Sequence, residues 1–313
     1  MLTPDKVVIL NSTLTTVMSI LNYIIWDQSD EIFRLNLPII GSFALRWYGL
    51  LFASGFVLGQ IILNRMYKAE QVAEKWVDVI TIYMIVGTVV GARLGHCLFY
   101  EPDVYLKDPI RILKIWEGGL ASHGATVGIL LALYLYSRKF KFDYLWVLDR
   151  IVIVVALGGA LIRLGNLFNS EIIGKPTDLP WAFKFVRNNE IINGVPASLM
   201  PRHPAQLYES ISSFILFLVL LFIWSRRKQL TPRGRIFGLF VVILFTLRFL
   251  YEFLKEAQVD FEETMVLNMG QILSIPLILA GLVILIRSYL HPVIPVNNPL
   301  DPDAVPVKTA KKR

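Results

Sequence analysis

The feature that most constrains this chain is a series of long apolar runs separated by short polar linkers. Crossing the hydrocarbon core of a bilayer takes about 20 helical residues, and every backbone polar group in lipid must be paired within the segment. The runs therefore predict membrane-spanning helices. We place seven spans at residues 44–64, 78–99, 119–137, 144–168, 208–225, 236–251 and 270–287, and expect the fifth and sixth to extend by a few residues.

The composition favours an all-α, polytopic transmembrane bundle over a set of soluble domains. Charged residues make up 18% of the chain, against about 25% in a typical soluble domain. The net charge of +7 would suit a nucleic-acid partner, but the lysines and arginines lie in the linkers, where they set membrane topology. We therefore expect membrane lipids, and no nucleic acid, among the partners.

The N-terminal region does not have the pattern of a cleaved signal peptide. Its apolar stretch, residues 7–26, is interrupted by Asn11, Ser12 and several threonines, and no small-residue cleavage site follows. We interpret residues 1–43 as an interfacial arm, with a first true span as the alternative. Residues 44–290 then form the transmembrane domain, and residues 291–313 form a basic tail that we expect to lie on anionic headgroups.

The linkers also predict the orientation of the spans. One side (65–77, 138–143, 226–235 and the tail from Arg287) holds 16 lysines and arginines, whereas the other side holds 10 although its segments are longer in total. The positive-inside rule assigns the first side to the cytoplasm. The N-terminus and an external segment at 169–207 are then outside, and the C-terminus is cytoplasmic.

Polar residues gather at the span ends that this orientation places near the outer face. Ionisable residues within spans are costly and are functional candidates by default, although an arginine at a helix end can simply extend its head group to water. Asp149 and Arg150 lie instead near the inner end of the fourth span. The outer set comprises Arg46, Arg93, His96, His123, Arg163, Asn166, Asn169, Arg202, His203, Gln206, Tyr208, Glu209, Arg248 and Glu252.

Three local patterns suggest chemistry, each with a structural alternative. His123 follows Gly118 and Gly119, and glycines allow the backbone to approach a ligand closely. The imidazole of His123 could act as a base there. Alternatively, it could form a hydrogen bond within a tight helix start. The guanidinium fork of Arg163 could bind phosphate, and the amides of Asn166 and Asn169 could bind ester oxygens. Alternatively, the three side chains could form a polar clamp between helices. Arg248 and Glu252 are four residues apart and could form an ion pair or bind phosphate.

No signature of a metal or nucleotide site occurs in the sequence, so no cofactor is expected. Cys97 is the single cysteine, which rules out a disulfide framework and predicts a buried packing residue.

Taken together, these segments resemble the prolipoprotein diacylglyceryl transferase family. The matching pieces follow the family order over about residues 45–287 and include a stretch close to the family signature. They are Trp47-Tyr48-Gly49, Gly118-Gly119 to His123-Gly124, Arg163-Leu164-Gly165-Asn166 to Asn169, Glu171 and Gly174, Arg202-His203-Pro204 to Tyr208-Glu209, Arg248 to Glu252, and Met269-Gly270-Gln271 to Pro276.

The resemblance implies a bacterial inner-membrane enzyme with its active site towards the outer face. Such an enzyme transfers the diacylglyceryl group of phosphatidylglycerol to a lipobox cysteine of prolipoproteins, leaving a thioether and releasing glycerol phosphate. It implies His123 as the base for the thiol, and Arg163 and Arg248 as clamps for the departing phosphate. Substrate binding would fall to Tyr48, Gly118, Gly119, Asn166, Asn169, Glu171, Arg93, His203, Tyr208 and Glu252.

The chain departs from the family pattern at several positions. Ile162 and Leu167 replace a usual Gly and Phe in the signature, Arg46 stands where His is common, and Leu244 where Tyr often occurs. Residues 255–258, Lys-Glu-Ala-Gln, replace the Arg-x-Pro-Asp motif that usually follows the sixth span. These changes put peripheral lipid contacts in doubt more than the reaction.

Two other classes of function remain open at this point. A lipid transporter or flippase would place its polar site near the bilayer midplane between internal repeats, and the sequence has no convincing repeat. A non-catalytic scaffold would have no need of clustered arginines and asparagines within its spans.

Overall fold

The computed structural model describes residues 23–37, 41–115, 118–192, 194–256 and 265–291. Most of the proposed N-terminal arm and nearly all of the basic tail therefore lie outside the described residues, as do Glu117, before the Gly118-Gly119 pair, and the end of the 255–258 departure.

Seven long helices occur within the described ranges, each overlapping one of the seven predicted spans. The fifth and sixth continue into one-turn 3-10 helices, Lys228–Leu230 and Glu252–Leu254, as expected from their short apolar runs. The helices are α1 (Trp47–Ala69), α2 (Lys75–Phe99), α3 (Ser122–Phe140), α4 (Tyr144–Phe168), α5 (Ala205–Arg227), α6 (Arg235–Tyr251) and α7 (Met269–Leu290).

Six of these helices are long and apolar enough to cross a membrane, and α3 is the exception. Helix α3 opens with Ser122, His123 and Gly124 and ends with Arg138 and Lys139, which leaves a short apolar middle. The chain is therefore a largely helical protein with six candidate membrane spans among the residues described.

The expectation of an all-α fold is wrong in one respect, because the described residues also form three two-stranded sheets. Strand β1 (Ile24–Trp26) pairs in parallel with β4 (Phe183–Phe185). Strands β2 (Glu31–Leu37) and β3 (Gly41–Arg46) form an antiparallel hairpin, as do β5 (Ile191–Ile192) and β6 (Val195–Pro196). The strands are short, and the partner of β1 lies far away in sequence, so local patterns do not predict them.

The chain divides into two compact units. The first takes the described residues of Met1–Gly55, Ala156–Val219 and Phe240–Leu282, and the second takes those of Phe56–Val155, Leu220–Leu239 and Val283–Arg313.

The first unit contains a small apolar core where the sheets meet the end of α4. Leu167, Ile173, Phe183, Phe185 and Ala197 are buried there. Trp26 packs on the same core, stacks on Phe183 and donates its indole N–H to the Leu167 carbonyl at 3.0 Å. Leu167, one of the departures from the family signature, thus serves as a core residue.

The second unit contains a close contact between α2 and α3 and a buried polar cluster. Carboxylate oxygens of Glu70 accept hydrogen bonds from Arg150 and from the indoles of Trp146 and Trp224. Asp149 accepts from the backbone N–H groups of Gly234 and Phe237 at 2.7 and 2.8 Å, which satisfies free donors at the start of α6. The inner polar pair, Asp149 and Arg150, therefore has a structural role.

Candidate functional site

In the first unit, several of the polar residues predicted at the ends of α4, α5 and α6 form one connected cluster. Arg163, in the last turns of α4, pairs through Nε with Oε2 of Glu209 on α5. Its Nη1 donates to Oδ1 of Asn166 at 3.2 Å. The guanidinium is thus held from two sides while the side chain stays 23% exposed, which leaves donors available to a ligand.

Glu171 receives both asparagines predicted to line the site. Its Oε1 accepts from Nδ2 of Asn166 at 2.6 Å and from Nδ2 of Asn169 at 3.2 Å. Gln206 donates to the Glu171 backbone carbonyl at 2.5 Å. These contacts have the form of the polar clamp considered as the alternative, and they fix the position of the Asn166 amide beside Arg163.

Tyr48 lies against the same turn of α4. A Cβ atom built on Gly165 would be 2.8 Å from Cδ2 of Tyr48, so only glycine allows this approach next to Asn166. The Trp47-Tyr48-Gly49 motif and the signature motif are therefore in direct contact.

Arg248 and Glu252 form the ion pair that their spacing suggested, with Nη2 and Oε1 3.6 Å apart. Asn268 donates to the other oxygen, Oε2, at 3.1 Å. A Cβ on Gly270 would be 2.7 Å from the Glu252 carboxyl carbon, so Gly270 makes room for this carboxylate. Glu252 is buried and holds Arg248, which is 36% exposed.

Sequence reasoning assigned no role in the site to two members of this cluster, Glu209 and Lys255. The ammonium group of Lys255 pairs with Oε1 of Glu209 and lies 3.5 Å from Oε1 of Glu252. Glu209 ends the matching motif that begins at Arg202, and Lys255 begins the segment that departs from the family pattern. Their pairing joins α5 to the segment after α6, about 46 residues later in the sequence, so no local signal could identify it.

His203 and Tyr208 lie together with Trp181. The Tyr208 hydroxyl accepts from the Trp181 indole at 3.0 Å and lies 3.3 Å from Nδ1 of His203. Partial burial lowers the pKa of His203, which favours the neutral imidazole.

In the second unit, Arg93 holds the loop before His123 in place through hydrogen bonds. The side chain is buried, and its guanidinium donates to the backbone carbonyls of Arg111, Ile112, Lys114, Gly118 and Gly119. Five such bonds leave its donors no freedom for a substrate group. The prediction that Arg93 binds substrate finds no support in these contacts.

Gly118 and Gly119 shape the same loop. Both have positive φ angles, 86° and 74°, where an L side chain would be strained. A Cβ on Gly119 would also be 2.4 Å from Cδ2 of His96, so the loop passes directly over that ring.

His123 is the second residue of α3, and its side chain is exposed. No hydrogen bond or ion pair joins it to any residue that the structure describes. An accessible imidazole is a side chain of the type that serves as a general base.

The predicted residues thus form two sets, one in each unit. His123, Arg93, Gly118 and Gly119 belong to the second unit, and the other predicted residues belong to the first. Within the described ranges, no group of three or more His, Cys, Asp or Glu side chains could hold a metal ion.

Comparison with known proteins gives the family. The family model described as prolipoprotein diacylglyceryl transferase matches residues 36–287. The chain belongs to the prolipoprotein diacylglyceryl transferase family.

Curated members of the prolipoprotein diacylglyceryl transferase family match most of the chain. A protein of Chloroherpeton thalassium named phosphatidylglycerol–prolipoprotein diacylglyceryl transferase is 46% identical over 268 residues, covering 85% of this chain and 95% of its own length. A protein of the same name from Porphyromonas gingivalis is 44% identical over 284 residues, covering 88% and 98%. One from Nitrosomonas europaea is 36% identical over 280 residues, covering 87% and 92%.

Proposed function

We propose that this protein transfers the diacylglyceryl group of phosphatidylglycerol to the thiol of a lipobox cysteine in prolipoproteins, the first step of lipoprotein maturation. Membership of the prolipoprotein diacylglyceryl transferase family over residues 36–287 is the observation that carries this proposal. A lipid transporter or flippase is not favoured, since the named relatives are transferases.

The reaction exchanges one bond for another at a glyceryl carbon. The cysteine sulfur attacks the carbon that bears the phosphate ester, the C–S bond forms as the C–O bond breaks, and the electron pair leaves with the phosphate oxygen. Glycerol phosphate departs with one more negative charge than the diester had. The thiol proton must go to a base, because the thiolate is the nucleophile.

The two arginines of the first unit suit the growing charge on the leaving group. Arg163 and Arg248 are each oriented by a carboxylate, yet each remains partly exposed. Preoriented donors of this kind stabilise charge as it develops. Asn166, held beside Arg163, and Tyr48 would position the lipid headgroup, and Glu252 positions Arg248.

His123 is the base in this proposal. Its support is the exposed imidazole at the start of α3, next to the loop that Arg93 fixes. Family membership supports a bacterial inner-membrane location. The linker charges support α3 as a seventh span and the reaction at the outer face, where an exported precursor presents its cysteine.

Purified full-length protein tests the function when given phosphatidylglycerol and a peptide with a lipobox cysteine. We expect glycerol phosphate release, and a peptide mass increased by one diacylglyceryl group; a Cys-to-Ser peptide should give neither. The proposal would be refuted if no glycerol phosphate is released under conditions in which a named relative turns over.

The base assignment has its own test in His123→Gln. We expect turnover to fall about 100-fold or more, within the range typical of general-base removal. His291→Gln, an exposed histidine at the far end of α7, is the matched control. Full turnover by His123→Gln would remove the base role and leave the transferase function standing.

A further inference from the structure

Lys255 is a buried cation in the segment that follows α6. Its side chain is only 3% exposed, although a lysine is rarely buried unless paired. The backbone of this residue forms a β-bridge with Gly174 of the signature motif. A Cβ on Gly174 would be 2.8 Å from the carbonyl oxygen of Leu254, so glycine is needed for the segment to lie here. The signature motif thus fixes the position of Lys255.

The ammonium group of Lys255 lies between two carboxylates. It pairs with Glu209 on α5 and lies 3.5 Å from Glu252, which follows α6. Both carboxylates are largely buried, with side chains 12% and 7% exposed. Two buried negative charges at such short range repel each other unless a cation lies between them.

Each of these carboxylates also holds one of the two arginines. Glu209 pairs with Arg163, and Glu252 pairs with Arg248. The five charged side chains therefore form one row of ion pairs in which the sign alternates, in the order Arg163, Glu209, Lys255, Glu252, Arg248. The lysine is the central member and the least exposed of the three cations.

We propose that Lys255 is a positioning residue: by holding Glu209 and Glu252 together, it sets the placement of Arg163 and Arg248 for the phosphate of the lipid. This inference rests on the proposed function. Without the lysine, each carboxylate is left to its arginine alone. The guanidinium donors then turn towards the carboxylates, and fewer of them face a ligand.

The test compares Lys255→Met, Lys255→Arg and the control Lys175→Met in the full-length protein. Methionine keeps an unbranched apolar chain without the charge, whereas arginine restores a cation that can reach both carboxylates. Lys175 is an exposed lysine of the same unit. Rates are measured with phosphatidylglycerol and a lipobox peptide, each varied in turn, on protein whose folded fraction is determined by its thermal unfolding transition.

We expect Lys255→Met to lower kcat per folded molecule about tenfold or more and to raise KM for phosphatidylglycerol, since preoriented donors act on this substrate. KM for the peptide should not change. Lys255→Arg should recover most of the lost kcat, and Lys175→Met should match the wild type. A purely structural lysine would instead reduce the folded fraction and leave kcat per folded molecule and both KM values unchanged.

Two results would overturn the positioning role. One is a folded Lys255→Met enzyme with the kcat and KM values of the Lys175→Met control. The other applies if Lys255→Met does not fold. It is a folded Lys255→Arg enzyme whose kcat has fallen as far as expected for Lys255→Met, about tenfold or more. An inactive wild-type protein would instead contradict the proposed function.

Discussion

At the scale of single residues, each guanidinium of the cluster is oriented by a carboxylate, from another helix for Arg163 and from one turn further along for Arg248. Arg163 depends on Glu209 and Asn166, and Arg248 depends on Glu252. A guanidinium presents a planar fork of donors, whereas an ammonium is a point charge. The geometry of the fork, and not charge alone, therefore decides what these positions can bind.

Arg163→Lys tests this dependence on geometry. The lysine can still pair with Glu209 but cannot also donate to Asn166 in the arginine's geometry, so we expect kcat to fall about 100-fold. Arg187→Lys is the matched control, because Arg187 forms an exposed ion pair with Asp27 in the same unit. Equal turnover by the two variants would show that positive charge suffices at position 163.

His203 provides a prediction about pH. Burial lowers the pKa of His203, so the folded protein binds less of this proton than a free histidine, which is half protonated at about pH 6.5. As the pH falls through that value, the unfolded chain binds the proton first, and folded stability decreases until the pH reaches the folded pKa. The chain has four histidines, so NMR titration with His203→Gln for assignment can measure each midpoint. A midpoint at or above the ordinary value would contradict the burial argument.

At the scale of elements, two contacts of the second unit are expected to support its stability. The first is the buried cluster around Glu70, where one carboxylate receives Arg150 and two indoles. The second is the glycine contact between α2 and α3. Neither involves a residue of the proposed chemistry directly.

Glu70→Gln should destabilise the protein by about 3–5 kcal/mol, because buried Arg150 would lose its hydrogen-bonded counter-charge and keep only Asp149, whose Oδ2 lies 3.8 Å from Nη1. Chemical unfolding in mixed micelles measures this difference. Glu74→Gln is the control, because Glu74 lies four residues away and its exposed carboxylate pairs with exposed Lys68. Similar unfolding curves for the two variants would mean that Arg150 finds another partner.

Gly124→Ala should cost about 1–3 kcal/mol, because overpacking forces a backbone shift. Its Cβ would be 2.3 Å from the backbone oxygen of Gly91 on α2, and Gly128 makes the same kind of contact one turn later. Gly159→Ala on α4 meets nothing within 4 Å and should leave stability unchanged or slightly raised. A neutral Gly124→Ala would show that α3 can move away from α2 without loss.

At the scale of the whole molecule, the number of membrane crossings depends on α3. Six helices qualify as spans by length and apolarity, and α3 does not. Helix α3 nevertheless packs its glycines against α2, a helix that does qualify, and the charge pattern of the linkers alternates regularly only if α3 crosses.

Fusions of an enzyme that is active only in the cytoplasm test this topology. We expect no activity after Lys107, and activity after both Lys141 and Lys228, because the linkers around the last two are rich in lysine and arginine. A fusion that is silent after Lys141 would show that α3 does not cross. Activity after Lys107 would reverse the proposed orientation at that point of the chain.

The sequence by itself determined the long helices, because the length and apolarity of a span are local properties of the chain. It also predicted Arg163, Asn166, Arg248 and Glu252 as site residues, since ionisable and amide groups within apolar runs are conspicuous. It gave no role to Lys255 and no partners to Arg93, because the contacts of a buried cation are not local properties of the sequence.

Only the tertiary structure decided which charges meet. Arg93 holds a loop through five backbone carbonyls, and the parallel sheet of β1 and β4 pairs strands that are far apart in sequence. The alternating ion pairs centred on Lys255 join segments that are distant along the chain. Partner choice among buried charges depends on which helix ends meet in space, and apolar periodicity carries no information about that.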